Sequence, residues 1–111
     1  KVHLSHGGPQ NPINGYIYQN DAPTYPTSKY DFIFCGNTHR SYIYKQLDTS
    51  IINVGSCGFP RDKGKIGTFA VLDTENGEVE IKKVRIPNIS HFLDSEELHM
   101  THESIINNYY R

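Results

Sequence analysis

Residues 30–40 read Tyr30-Asp31-Phe32-Ile33-Phe34-Cys35-Gly36-Asn37-Thr38-His39-Arg40. The four apolar side chains Phe32, Ile33, Phe34 and Cys35 follow one another without a polar break, the pattern of a strand buried on both faces. Gly36 stops the run, and residues 37–40 are all polar. Such a strand delivers a loop to the edge of a sheet, where sites in layered folds are assembled.

Working outward, two more segments repeat this design. In Val2-His3-Leu4-Ser5 the apolar residues alternate, and Gly7-Gly8-Pro9 ends the strand at a loop. Residues 51–54 are again β-prone and end at Gly55, which opens Gly55-Ser56-Cys57-Gly58-Phe59-Pro60-Arg61-Asp62. Residues 41–45 form a further short strand. Segments 66–73 and 78–86 flank Thr74-Glu75-Asn76-Gly77, and Asn-Gly between two strand-like runs predicts a hairpin that closes the sheet.

Two stretches stand apart from the strands. Residues 10–29 are rich in Asn, Pro, Tyr and Ser, with Pro12, Pro23 and Pro26 excluding a long regular element, so an extended loop with one short helical turn is expected. A loop of that length inside a compact domain is usually functional or mobile. Its tyrosines, Tyr16, Tyr18, Tyr25 and Tyr30, read as packing groups before pocket-lining ones. After Pro87, Asp94-Ser95-Glu96-Glu97 offers a cap and an acidic first turn, and Leu98, His102, Ile105, Ile106 and Tyr109 recur at near-helical spacing. This predicts a helix over about 95–110, within a helical extension spanning 88–111.

Composition narrows the function classes. The 111 residues suit one domain, and the hydrophobic fraction of 36% with nine glycines is that of an ordinary globular chain. A net charge of -1 supplies no broad basic field, so neither nucleic acid nor an anionic membrane is indicated as a partner. No apolar run approaches the roughly 20 residues of a transmembrane helix, and no signal peptide opens the chain. Two cysteines are too few for a secreted disulfide scaffold, which points to reduced thiols and a cytoplasmic location. The chain begins at Lys1, without an initiator methionine and inside a strand-like run, as a truncated domain would.

The strand-end loops carry the chemistry. Histidine and asparagine present nitrogen and oxygen donors to divalent cations, and glycine lets the backbone turn sharply or approach a ligand. Asn37 and His39 are two residues apart, which on an extended segment would put both side chains on one face. Each of these is also, taken singly, an ordinary hydrogen-bonded loop residue. Gly36, Gly55 and Gly58 read as setters of loop geometry. Arg40 and Arg61 could meet phosphate oxygens with a guanidinium fork, although Arg61 could equally pair with Asp62 or another acid. Cys35, ending an apolar strand, reads as a small core residue, and Cys57 in its glycine loop as more exposed, with no base to activate it. His91, His99 and His102 read as a solvated helix surface before a metal set.

Val2-His3-Leu4-Ser5-His6-Gly7-Gly8-Pro9 resembles the strand-His-Gly motif of calcineurin-like metallophosphoesterases, in particular the small bacterial and archaeal phosphodiesterase branch. The 31–40 segment resembles that family's Gly-His-Thr-His motif, and residues 53–62 its Asn-Pro-Gly-Ser segment with a following Pro-Arg-Asp. The resemblance spans about residues 1–87. It implies an α/β fold in the layered α+β sense: the carboxy-terminal half of a four-layer α/β/β/α sandwich, a single partial domain with a mixed sheet, an antiparallel hairpin and a carboxy-terminal helix.

The resemblance further implies hydrolysis of phosphomonoesters or phosphodiesters at two divalent metal ions, drawn from manganese, iron, zinc or magnesium. By it His6 binds the second metal, Asn37 stands where a histidine ligand of that metal is usual, and His39 binds the first. An amide oxygen is a neutral and harder donor than imidazole, so metal choice is expected to shift. The family's early Asp-x-His, Gly-Asp-x-x-Asp and Gly-Asn-His motifs are not found in these 111 residues. With at most two protein ligands per metal where about three are usual, the chain alone is expected to bind metal weakly and to be inactive. Its expected partners are a small phosphoester substrate and, through a sheet left exposed, other copies of itself. The alternative is a non-catalytic scaffold or interaction protein on the same fold.

Overall fold

The computed structural model describes residues 1–27 and 29–87. The expected helix over 95–110, with His91, His99 and His102, lies outside them. Six strands form: β1 (Val2–Leu4), β2 (Phe32–Cys35), β3 (Ser41–Gln46), β4 (Thr49–Val54), β5 (Ile66–Leu72) and β6 (Val79–Arg85). One 3₁₀ turn at Ala22–Thr24, with Pro23 fixing its first turn, interrupts the long loop.

The first four strands make a mixed sheet in the order β1-β2-β4-β3. β1, β2 and β4 run parallel, with Leu4 opposite Phe34 and Phe34 opposite Ile52. β3 descends antiparallel beside β4, from which it is separated by a two-residue turn, Leu47 and Asp48, with Leu47 in the left-handed region at φ 51°. This tight turn is why β4 starts at Thr49, before the apolar run that marks it in the sequence. The expectation that β5 and β6 close this sheet is not met. Among the described residues they pair only with each other, in a separate two-stranded sheet.

Parity along the strands sorts side chains onto two faces. One face carries Ile33, Cys35, Tyr42 and Ile51, and the loop over 10–29 folds across it, burying Ile17 and Ala22 against them. Tyr42 Oη donates to the Ile17 carbonyl at 2.8 Å, which pins the loop's centre. Tyr25 and Tyr30 pack against the same core, as expected for loop tyrosines, whereas Tyr16 and Tyr18, expected to pack likewise, stay exposed. The opposite face carries Phe34 and Ile52 and faces the β5–β6 hairpin, whose Gly77 lies over the Phe32 ring. That hairpin covers it unevenly: Val2 and Leu4 on β1 remain 46% and 74% exposed. Among the described residues no helix is long and apolar enough to cross a membrane.

Candidate functional site

Because β1, β2 and β4 are parallel, their carboxy-terminal ends lie at one edge of the sheet, and the loops after them converge there. Ser5 N–H donates to the Phe34 carbonyl at 3.2 Å and Gly36 N–H to the His6 carbonyl at 2.9 Å, so the first two loops continue the pairing of their strands. His6, Asn37 and His39 line one open trough of about 540 Å³, together with Gly55, Ser56 and Cys57 from the third loop and Thr68 from β5. A Cβ added at Gly36 would sit 3.9 Å from His6 Nδ1, which brings the exposed His6 ring alongside the second loop.

Asn37 and His39 do not share the face of an extended segment. Both adopt φ 58°, in the left-handed region, so the backbone turns twice within three residues. Asparagine tolerates that conformation better than most side chains, and for histidine it is uncommon. Two hydrogen bonds hold the turns: Asn37 Nδ2 donates to the Gly15 carbonyl at 2.8 Å, and His39 Nδ1 pairs with the Phe59 carbonyl at 2.8 Å. The Phe59 ring meets the imidazole edge-on at 5.8 Å. A carbonyl can only accept, so Nδ1 carries the proton, and in the neutral imidazole the Nε2 lone pair is left available.

Buried polar side chains stitch the loops together. Asn53 is fully buried; its Nδ2 donates to the Gly36 carbonyl at 2.8 Å while its Oδ1 accepts from Gly55 N–H at 3.1 Å, tying the second loop to the third. Thr68 Oγ1 accepts from Ser56 N–H and donates to the Val54 carbonyl, tying the third loop to β5. Arg61 N–H donates to the His39 carbonyl at 2.9 Å, and Asp62 Oδ2 accepts from both the amide and the hydroxyl of Ser41. The Pro-Arg-Asp segment thus straps the His39 turn. In the sequence Asn53 reads only as the head of the Asn-Pro-Gly-Ser-like segment and Thr68 carries no signal, although a lone asparagine after Ile51 and Ile52 marks a buried polar group that needs partners.

Of the three glycines expected to set loop geometry, Gly55 does so. It sits at φ 75°, and a Cβ there would come within 2.1 Å of Thr68 Oγ1. A Cβ at Gly58 would meet open space, and around Gly36 the positive φ angles fall on Asn37 and His39 instead. Both thiols are unpaired. Cys35 is buried with Sγ 3.6 Å from the Ile52 carbonyl, and desolvation pushes its pKa up to about 12, as suits a core residue. Cys57 is exposed in the trough.

The arginines are not gathered with the histidines. Past the His39 turn, Arg40 lines a separate hollow with Tyr18, Asn20, Thr38 and Asp62. Arg61 enters the strap through its backbone, and its neighbour Asp62 is engaged by Ser41.

Imidazole nitrogens and an amide oxygen suit divalent cations of borderline character, and a histidine whose Nδ1 donates to a carbonyl is oriented as metal-binding histidines usually are. The donor count is short. Among the described residues no group of three or more His, Cys, Asp and Glu side chains stands close enough to hold a metal ion. His6, Asn37 and His39 therefore fit as contributors to a metal centre, not as a complete one.

A mixed sheet whose parallel strands end in loops bearing imidazole and amide side chains gathers its candidate site at that edge, as α/β-type sheets do. Residues 1–77 match the calcineurin-like phosphoesterase superfamily domain, and the chain belongs to that family. The fold is similar to that of the hypothetical protein PH1004 from Pyrococcus horikoshii OT3, with a TM-score of 0.66 at 24% identity over 96% of this chain and 44% of that one. It is equally similar to a metallophosphoesterase from Sphaerobacter thermophilus, with a TM-score of 0.66 at 22% identity over 96% of this chain and 53% of that one. The chain thus spans about half the length of these solved structures. No curated protein matches it.

Proposed function

We propose that these residues supply His6, Asn37 and His39 to the active centre of a phosphoester hydrolase, acting on a small phosphomonoester or phosphodiester. The observation that carries the reading is that the three residues line one trough, with His39 Nδ1 held 2.8 Å from the Phe59 carbonyl, the contact that favours the tautomer leaving Nε2 free. Divalent cations, where bound, polarise a phosphoryl group and lower the pKa of a coordinated water. The chain's own part is to hold donors. His39 Nε2 and the His6 ring offer imidazole, Asn37 offers its Oδ1 while its Nδ2 is held by Gly15, and Asn53 keeps the loops in register. Two metals, with manganese, iron, zinc and magnesium as candidates, belong to this reading, as does a cytoplasmic location.

Among the described residues no third His, Cys, Asp or Glu completes a metal-holding group with His6, Asn37 and His39, so the reading calls for further ligands. The isolated chain should then be inactive. The test assays the polypeptide isolated from its native source, and the 111-residue chain beside it, on bis(p-nitrophenyl) phosphate with added manganese. Turnover by the native polypeptide that His39→Ala abolishes, with none by the 111 residues, is expected. Equal turnover by the short chain would overturn the incompleteness, and turnover indifferent to His39→Ala would overturn the site.

A second reading, a non-catalytic scaffold, draws on Asn37. Its amide ties the second loop to the first through Gly15, a structural task that needs no metal. A native polypeptide that binds no manganese would favour it.

A further inference from the structure

The hollow on the far side of the His39 turn, about 390 Å³ and lined by Tyr18, Gln19, Asn20, Arg40 and Asp62, is within the range of roughly 300–1,000 Å³ typical of small-molecule sites. We propose that it binds a compound joining a flat ring to a phosphate, as a nucleoside monophosphate does, with the ring on Tyr18 and the phosphate on Arg40. The site is separate from the trough, and the proposal holds or fails independently of any metal there.

Tyr18 is 47% exposed and Tyr16 52%, yet their rings lie parallel within 6°, with centroids 5.7 Å apart. Aromatic rings left in water side by side form a platform on which a further ring can stack. Their backbone is not loose. Ile17 between them is buried at 1% exposure and its carbonyl takes the Tyr42 hydroxyl; the Tyr18 carbonyl accepts from Asp21 and Ala22 N–H, and Tyr18 N–H donates to Asp21 Oδ2. The platform is therefore held before any ligand arrives, which lowers the entropic cost of binding.

The Arg40 guanidinium at the other end of the hollow suits an anion. No carboxylate among the described residues forms an ion pair with the Arg40 guanidinium. Asp62, the one acid in the lining, directs Oδ2 at the Ser41 amide and hydroxyl. A guanidinium fork matches two phosphate oxygens at once. The side-chain amides of Gln19 and Asn20, without hydrogen-bond partners among the described residues, remain for the edge of the ring.

The test titrates the isotopically labelled chain, in EDTA, with adenosine monophosphate, ribose 5-phosphate and adenosine, following amide shifts. Saturable shifts at residues 18–20 and 40 are expected with adenosine monophosphate, with the other two at least about tenfold weaker. Tyr18→Leu and Arg40→Gln, both at exposed positions, should each weaken binding by about tenfold or more while the rest of the spectrum stays unchanged. The proposal is overturned by the absence of saturation up to about 10 mM, by ribose 5-phosphate or adenosine binding as tightly as the nucleotide, or by shifts that survive both substitutions.

Discussion

His39 Nδ1 lies 2.8 Å from the carbonyl oxygen of Phe59, a residue 20 positions further along the chain. The contact ties the second strand-end loop to the third and decides which ring nitrogen holds the proton. At a pH where the imidazole is neutral, His39 should show the Nδ1-protonated form in long-range nitrogen–proton spectra, the reverse of the Nε2-protonated form that free histidine favours. Dominance of the Nε2-protonated form would remove the argument that Nε2 is available to a metal.

Asn53 gives the second prediction. It is fully buried and spans from the Gly36 carbonyl to Gly55 N–H, so Asn53→Ala removes the side-chain partner of both groups. A loss of about 2–4 kcal/mol in urea unfolding is expected, from two buried groups at roughly 1–2 kcal/mol each. Asn53→Asp should cost at least as much, since it removes the donor and buries a charge. A change within about 0.5 kcal/mol, the usual size of a surface substitution, would mean that the loops hold their register without it.

Gly55→Ala should also destabilise the chain, for a different reason. The residue sits at φ 75°, which costs an L side chain about 1–2 kcal/mol, and its Cβ would approach Thr68 Oγ1 to 2.1 Å. Thr68 cannot withdraw without giving up its bonds to Ser56 and Val54. The two sites are therefore coupled, and a cycle combining Gly55→Ala with Thr68→Ala should be non-additive by about 0.5–3 kcal/mol. Additive losses would place the strain in the backbone alone.

Much of this arrangement was legible in the residues. The uninterrupted run from Phe32 to Cys35 stopped by Gly36 marked a buried strand and its loop, Asn76-Gly77 marked the hairpin, and the three glycine-bearing loops marked the edge where side chains would meet. The illegible part depends on partners distant in sequence. That Asn37 and His39 would both be left-handed is decided by hydrogen bonds to Gly15 and Phe59, each about 20 positions away, and no local propensity of histidine signals it. The same turn carries Arg40 to the other side of the loop, away from the histidines. That β5 and β6 stand as their own sheet over the Phe34 and Ile52 face, instead of extending the first sheet, is not encoded by Asn-Gly spacing.

Stability at high pH follows from Cys35. Burial raises its thiol from 9.0 to about 12, so between these values the unfolded chain ionises while the folded chain keeps its proton. The folded state then binds more protons than the unfolded one, and stability falls as pH rises from about 9 to 12, by up to roughly 4 kcal/mol for a three-unit difference. Below pH 9 the contribution is complete. Tyr42, whose phenol burial also pushes upward, adds to the decline at the upper end. Cys35→Ala should flatten the slope of unfolding free energy against pH; an unchanged slope would assign the fall to Tyr42 and other groups.

The sheet edge yields the last prediction. Among the described residues β1 pairs with β2 on one side only, and Val2 and Leu4 project from it at 46% and 74% exposure, with Phe69 of the neighbouring hairpin at 45%. An edge strand with unpaired backbone groups beside apolar side chains is a template for another strand. If two copies of the 111-residue chain pair there, light scattering should show a mass that rises with concentration toward the dimer. Leu4→Lys places a charge on the exposed edge without touching the core, and should return the chain to monomer, with the unfolding midpoint at monomeric dilution unchanged. A concentration-independent monomer before the substitution would mean that the edge is not used for self-association, and a dimer that persists in Leu4→Lys would move the contact elsewhere.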